Sequence, residues 1–85
     1  MYRILFVCHG NICRSTMAQS VMAHLVAEAG REEEFRIDSA ATSREEIGNP
    51  PHRGTVSRLQ RAGIAVVPHR ARQVRGDEYG DWDYI

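Results

Sequence analysis

Hydrophobic and polar residues alternate along the chain in stretches that read as strand, helix and strand. Residues 2–7, Tyr-Arg-Ile-Leu-Phe-Val, form a short apolar run that breaks abruptly into Cys-His-Gly-Asn, as a buried parallel strand entering a loop would. Over residues 16–29 the apolar Met17, Val21, Met22, Leu25, Val26 and Ala29 recur at helical spacing. That spacing puts Gln19, His24 and Glu28 on the wetter side, and Gly30 supplies the stop. A second short strand is expected at residues 35–39, after the acidic run Glu32-Glu33-Glu34, which reads as a solvated turn. Strand, helix, strand is the βαβ pattern and predicts an α/β fold with a parallel sheet.

Beyond the second strand the pattern loosens. Residues 40–53 hold Ala-Ala-Thr-Ser and Gly48-Asn49-Pro50-Pro51, too densely punctuated for a regular element, and predict a loop with room for function. Val56, Leu59 and Ala62 then recur at helical intervals before Gly63, predicting a second short helix over residues 54–62. Residues 64–68 lead to His69-Arg70-Ala71-Arg72-Gln73. Residues 76–80 read as a turn, and Trp82, Tyr84 and Ile85 begin a third strand.

With 85 residues, one domain is the ceiling, because so short a chain buries a small fraction of its surface. Eleven basic and eleven acidic residues cancel, so no overall field draws the protein to nucleic acid or a membrane, and partners are chosen by a local site. All eleven basic residues are arginine. Arg70, Arg72 and Arg75, without interleaved aromatics, read as a solvated basic face and not as a nucleic-acid site. No apolar run reaches the roughly 20 residues that span a bilayer, and the opening residues lack a signal-peptide cleavage pattern, so a cytoplasmic location is expected. Cys8 and Cys13, both in one loop, make no disulfide framework. In a cytosolic chain such a pair points to catalytic, redox or metal chemistry. His9, His24, His52 and His69 lack the paired spacing of a zinc site, so neither metal nor other cofactor is expected.

The chemistry concentrates in Val7-Cys8-His9-Gly10-Asn11-Ile12-Cys13-Arg14-Ser15, between the first strand and the first helix. Open α/β sheets place ligands at such strand ends. Backbone amides of the loop and the positive end of the helix dipole would cradle a phosphate, and the same field would stabilise a thiolate at Cys8. Arg14 closes the loop after five intervening residues, where its guanidinium can fork onto two phosphoryl oxygens. Gly10 and Asn11 tolerate left-handed backbone, and Ser15 falls near the helix cap. A nucleotide-type phosphate loop with an incidental cysteine would need a Gly-Lys-Ser/Thr ending, which is absent.

In these residues the chain resembles the low-molecular-weight protein-tyrosine phosphatase family, whose signature Val-Cys-x-Gly-Asn-x-Cys-Arg-Ser is matched by Val7 through Ser15. The likeness continues through Ile37-Asp38-Ser39-Ala40, Gly48-Asn49-Pro50 and His69-Arg70-Ala71-Arg72-Gln73. It implies a three-layer α/β/α fold with a short parallel sheet of strand order 2-1-3-4, and a single domain over residues 1–85 truncated after the start of strand three. It implies a phosphomonoesterase in which Cys8 is the nucleophile, Arg14 binds phosphate and Ser15 stabilises the thiolate. His9, Gly10, Asn11, Ile12 and Cys13 would complete the phosphate-binding loop. Asn11, Ser39 and His69 would hold its shape, although His69 also reads as a satisfied structural histidine. Cys13 would be the redox partner that shields Cys8 through a reversible disulfide. Substrates would be phosphotyrosyl proteins or small aryl phosphates, with inorganic phosphate or sulfate able to occupy the loop.

The sequence also departs from that family. Its general acid is an aspartate in an Asp-Pro motif on a loop well beyond the third strand, and these 85 residues contain no Asp-Pro. Asp77, Asp81 and Asp83 lie too near the third strand to match it, so reduced turnover is expected. An acid-less module that binds phosphate or phosphotyrosine without turnover is the alternative. Arsenate reduction would need further downstream cysteines, which are lacking. Where the family often carries an aromatic residue against the substrate ring, this chain has Ser43-Arg44-Glu45-Glu46-Ile47, an acidic wall expected to alter substrate preference. Thr16 stands where proline is usual and Ala41 where glycine is common. Trp82, Tyr84 and Ile85 would leave strand three a bare apolar edge, to be covered by a longer natural chain or by self-association with a second chain.

Overall fold

The computed structural model describes all residues, 1–85. The elements follow in the order β1 (Tyr2–Cys8), α1 (Arg14–Glu28), β2 (Phe35–Ala41) and α2 (Arg53–Arg61), with 3-10 turns at Glu32–Glu34 and Gly76–Asp81. Strands β1 and β2 run parallel in a register that sets Leu5 beside Asp38, Val7 beside Ala40 and Cys8 beside Ala41. The chain end returns to the far side of β1, where Tyr84 bridges Ile4 in parallel and the Leu5 N–H donates to the Tyr84 carbonyl at 2.9 Å. The sheet itself has two strands, and the third strand expected from Trp82 onward is present only as this single bridge on the free side of β1. Asp83 locks the junction, its carboxylate accepting from the Arg3 backbone N–H at 2.8 Å and from the Arg3 guanidinium at 3.2 Å.

Side chains alternate across a strand, so Leu5, Val7, Asp38 and Ala40 share one face while Phe6, Cys8, Ser39 and Ala41 share the other. Helix α1 covers the second face, with α2 packed on α1. Trp82 and Val74 pack on Leu5 and Ala40 of the first face. Gly30 (φ 68°) and Gly63 (φ 73°) end the two helices in the left-handed region, as the sequence predicts.

Three expectations need correction. Helix α1 does not turn Gln19 outward: Gln19 is buried with Ser15, Thr16 and Ser20, Val26 is its one buried apolar residue, and Leu25 is exposed. Hydrogen bonds choose that face, since Gln19 accepts from Ser39 Oγ and the Ser20 hydroxyl accepts from the Val67 N–H at 3.0 Å. Trp82 is no bare edge residue but sits in the core, its indole N–H donating to Glu78 at 3.1 Å and the Arg36 guanidinium lying 4.9 Å over its ring. Tyr84 and Ile85 are exposed. Nor does Arg72 belong to a solvated basic face. It forks onto Glu78 through two 2.9 Å bonds and reaches Asp38 at 3.1 Å.

Only 15 of 85 residues are buried, and eight of those are polar or charged, so hydrogen bonding must do much of the work of fixing this fold. Among their side-chain nitrogen and oxygen atoms only Thr55 Oγ1 lacks a partner. Glu78 is the one buried carboxylate. It accepts from Arg72, the Arg75 N–H and the Trp82 indole, bonds that outweigh burial and hold its pKa at about 2, against an ordinary 4.5. A depressed folded-state pKa contributes stability that is fully present above about pH 4.5 and lost as pH falls toward 2. Glu78→Ala should therefore destabilise the fold by about 3 kcal/mol at pH 6. In denaturant melts the gap from the parent should shrink between pH 4.5 and 2. A gap independent of pH there would contradict the assignment.

Candidate active site

Residues 8–14 wrap a depression of about 230 Å³ whose remaining wall is Glu45 and Glu46. The loop can turn so tightly because Asn11, fully buried, takes a left-handed backbone (φ 59°), which asparagine tolerates better than most residues. Gly10, predicted to share that role, has no positive φ. The chain after β2 stitches the loop from outside. The Thr42 N–H donates to the Cys8 carbonyl at 2.9 Å, the Ser43 hydroxyl donates to the His9 carbonyl at 2.9 Å, and the His52 N–H donates to the Ile12 carbonyl at 2.7 Å. Size alone does not single out this cup. A larger depression of about 500 Å³ beside Pro50, Val66 and Pro68 carries no nucleophile.

Cys8 Sγ lies at the C-terminal end of β1, 3.1 Å from Ser15 Oγ and 3.3 Å from the Asn11 N–H. Proton positions follow from the network beneath it. The Arg72 backbone N–H can only donate, so the Asn11 atom 3.2 Å away must be the amide oxygen. His69 Nε2, 2.7 Å from that oxygen, must then carry a proton and donate as well. The other end of the amide, Nδ2, donates to Ser15 Oγ at 2.7 Å, leaving the serine's own proton free to point at the sulfur. Ser39, which hydrogen-bonds Gln19, stands 3.2 Å from His69 Nε2.

Burial raises the pKa of the Cys8 thiol, but the Ser15 hydroxyl and the backbone N–H groups of Ser15, Asn11 and Gly10 together outweigh it and leave the thiol below its ordinary value. At His69, burial lowers the pKa, Asp38 pulls it up and Arg72 pushes it down again. The net effect is a fall, while the bond to Asn11 itself asks only that Nε2 carry a proton.

Arg14 is the first residue of α1. Its exposed guanidinium lines the cup and makes no hydrogen bond or ion pair with the protein. Ser15 is not a helix cap. It sits within the first turn with its side chain turned to Cys8, and the N-cap position is Cys13, whose side chain caps nothing. Both cysteines are free thiols, Cys13 the more exposed.

All the loop residues singled out in the sequence, and Ser39 and His69 behind them, therefore meet around one sulfur. Sequence reasoning missed Gln19, the Arg72 amide and Glu78. None of the three offered a signal: Gln19 falls on the polar side of the helical pattern, Glu78 in a turn, and a backbone N–H carries no residue identity. His, Cys, Asp and Glu side chains form no group of three or more suited to a metal ion, and no helix is long and apolar enough to cross a membrane.

The chain is similar to known proteins in sequence and in backbone. A sequence model described as low molecular weight phosphotyrosine protein phosphatase matches residues 3–85. The low molecular weight protein-tyrosine-phosphatase YfkJ of Bacillus subtilis is 47% identical over 85 residues, covering 100% of this chain and 54% of that protein. The human low molecular weight phosphotyrosine protein phosphatase is 48% identical over 82 residues, covering 96% of this chain and 51% of that one. The crystal structure of YfkJ superposes with a TM-score of 0.95, again over 100% of this chain and 54% of its own. The chain thus spans about half the length of the curated relatives it matches. With nearly every residue inside the matched region and the backbone superposing throughout, this chain belongs to the low molecular weight phosphotyrosine protein phosphatase family.

Proposed function

We propose that the cup binds the phosphoryl group of phosphotyrosine or an aryl phosphate and hydrolyses it through a cysteinyl-phosphate. The observation that carries this reading is the Cys8 sulfur held by the Ser15 hydroxyl and the Asn11 amide, under a rim where the Arg14 guanidinium has no protein partner. The Cys8 thiolate attacks phosphorus, and an S–P bond forms as the P–O bond to the aryl oxygen breaks. Water then attacks the same phosphorus, the S–P bond breaks, and thiolate and inorganic phosphate are released. Arg14 and the loop amides hold the transferring oxygens through both steps. Ser15 steadies the sulfur as it leaves, while Asn11, Ser39 and His69 keep the loop in shape. A cytoplasmic setting keeps both thiols reduced, and under oxidation the exposed Cys13 thiol would pair reversibly with Cys8.

Protonation of the leaving group is the weak step for these 85 residues. There is no Asp-Pro, and two of the three aspartates near the third strand are engaged by arginines, Asp77 by Arg75 and Asp83 by Arg3. Esters whose leaving group departs unprotonated should be the better substrates, since losing general-acid help costs ~10²–10⁴ in rate. Steady-state assays of p-nitrophenyl phosphate and phosphotyrosine test this, with turnover expected for the first and a value lower by that factor for the second. Equal turnover would show that a proton donor is present. Binding of both with turnover of neither would favour the alternative reading, a phosphotyrosine-binding module.

A further inference from the structure

We propose that Glu45 and Glu46 make the cup selective for phosphotyrosyl segments carrying an arginine or lysine beside the phosphotyrosine; the inference rests on the phosphate-binding reading above. Both glutamates line the same depression as Cys8 and Arg14. Two carboxylates facing a phosphate dianion oppose its entry, so the wall is costly unless the incoming molecule brings its own cation. No arginine of the protein neutralises them, and the one basic group in reach is His9 beside Glu45. Of eleven arginines none bridges Glu45 or Glu46, and Arg44, adjacent in sequence, is turned to Gln73 at 3.1 Å.

The wall is also held in place. Glu46 Oε2 accepts from Asn49 Nδ2 at 2.6 Å, and Glu45 Oε2 lies 3.1 Å from His9 Nε2, which leaves Oε1 of each carboxylate without a protein partner. Behind them the Gly48 N–H donates to the Ala71 carbonyl and the Ala71 N–H to the Asn49 carbonyl, both at 2.8 Å. Two carboxylate oxygens without a protein partner on the rim suit an arginine fork or a lysine ammonium on the residue flanking the phosphotyrosine.

The test is fluorescence anisotropy with a Cys8→Ser form of the chain and two phosphotyrosyl peptides identical except for Arg or Glu on either side of the phosphotyrosine. The expected result is about five- to twentyfold tighter binding of the Arg-flanked peptide at low salt, falling as salt is raised. The preference should vanish when E45Q and E46Q are added, while competition by inorganic phosphate is retained, showing the cup still folded. Equal affinity for the two peptides, or a preference that survives the glutamine replacements, overturns the inference while leaving the cup intact. If neither peptide nor inorganic phosphate binds, the phosphate cup itself is contradicted and the inference falls with it.

Discussion

Replacing Cys8 by serine should abolish hydrolysis of p-nitrophenyl phosphate, lowering kcat by about 10⁴–10⁶-fold, and still leave phosphate able to bind. The asymmetry follows from how the site is built. The loop's shape comes from bonds that do not involve the sulfur, namely the left-handed Asn11 backbone, its amide's bonds to His69, Arg72 and Ser15, and the ties from Thr42, Ser43 and His52. A serine hydroxyl fits where the thiol stood and takes the same partners. It is not ionised near neutral pH, however, because the hydrogen bonds that lower a thiol's pKa are far too weak to deprotonate an alcohol. A variant that lost phosphate binding along with turnover would show that the cup depends on the sulfur.

Arg14→Ala should lower kcat/KM for the same ester by about 10²–10⁴-fold, with little change in melting temperature. Because the guanidinium is exposed and bonded to nothing in the protein, its removal leaves no buried group unpaired, and the stability change should stay within about 0.5 kcal/mol. Its loss is felt when a phosphoryl group needs charge-matched donors. Arg14→Lys keeps the charge and gives up the two-pronged geometry, so it should recover only part of the activity. If Arg14→Ala retained full activity, or unfolded the chain, the residue's assigned place at the substrate would be wrong.

Much of this fold is legible in the order of the residues. The apolar run ahead of Cys8, the helical spacing after Ser15 and the second run ending at Ser39 locate β1, α1 and β2 to within a few residues, although in α1 the spacing marks the helix without marking the face it buries. The loop is legible because a thiol, an arginine and small polar residues recur at a spacing that one tight turn brings around a single cup. Polar burial is what a hydrophobic pattern hides. Gln19 and Glu78 look like surface residues in such a pattern, and only the three-dimensional meeting with Ser39, Arg72 and Trp82 makes their burial tolerable. Trp82 escapes for the same reason, since its position beneath Arg36 and beside Leu5 depends on contacts between residues far apart in the chain.

The proposed ionisation of Cys8 beneath a bound oxyanion is tested most directly by following its alkylation by iodoacetamide across pH, read by peptide mass, with and without inorganic phosphate. The profile should reach half-maximum below the ordinary thiol range, and phosphate should slow the reaction at every pH. A rate that climbs only through or above that range and is indifferent to phosphate would contradict the account.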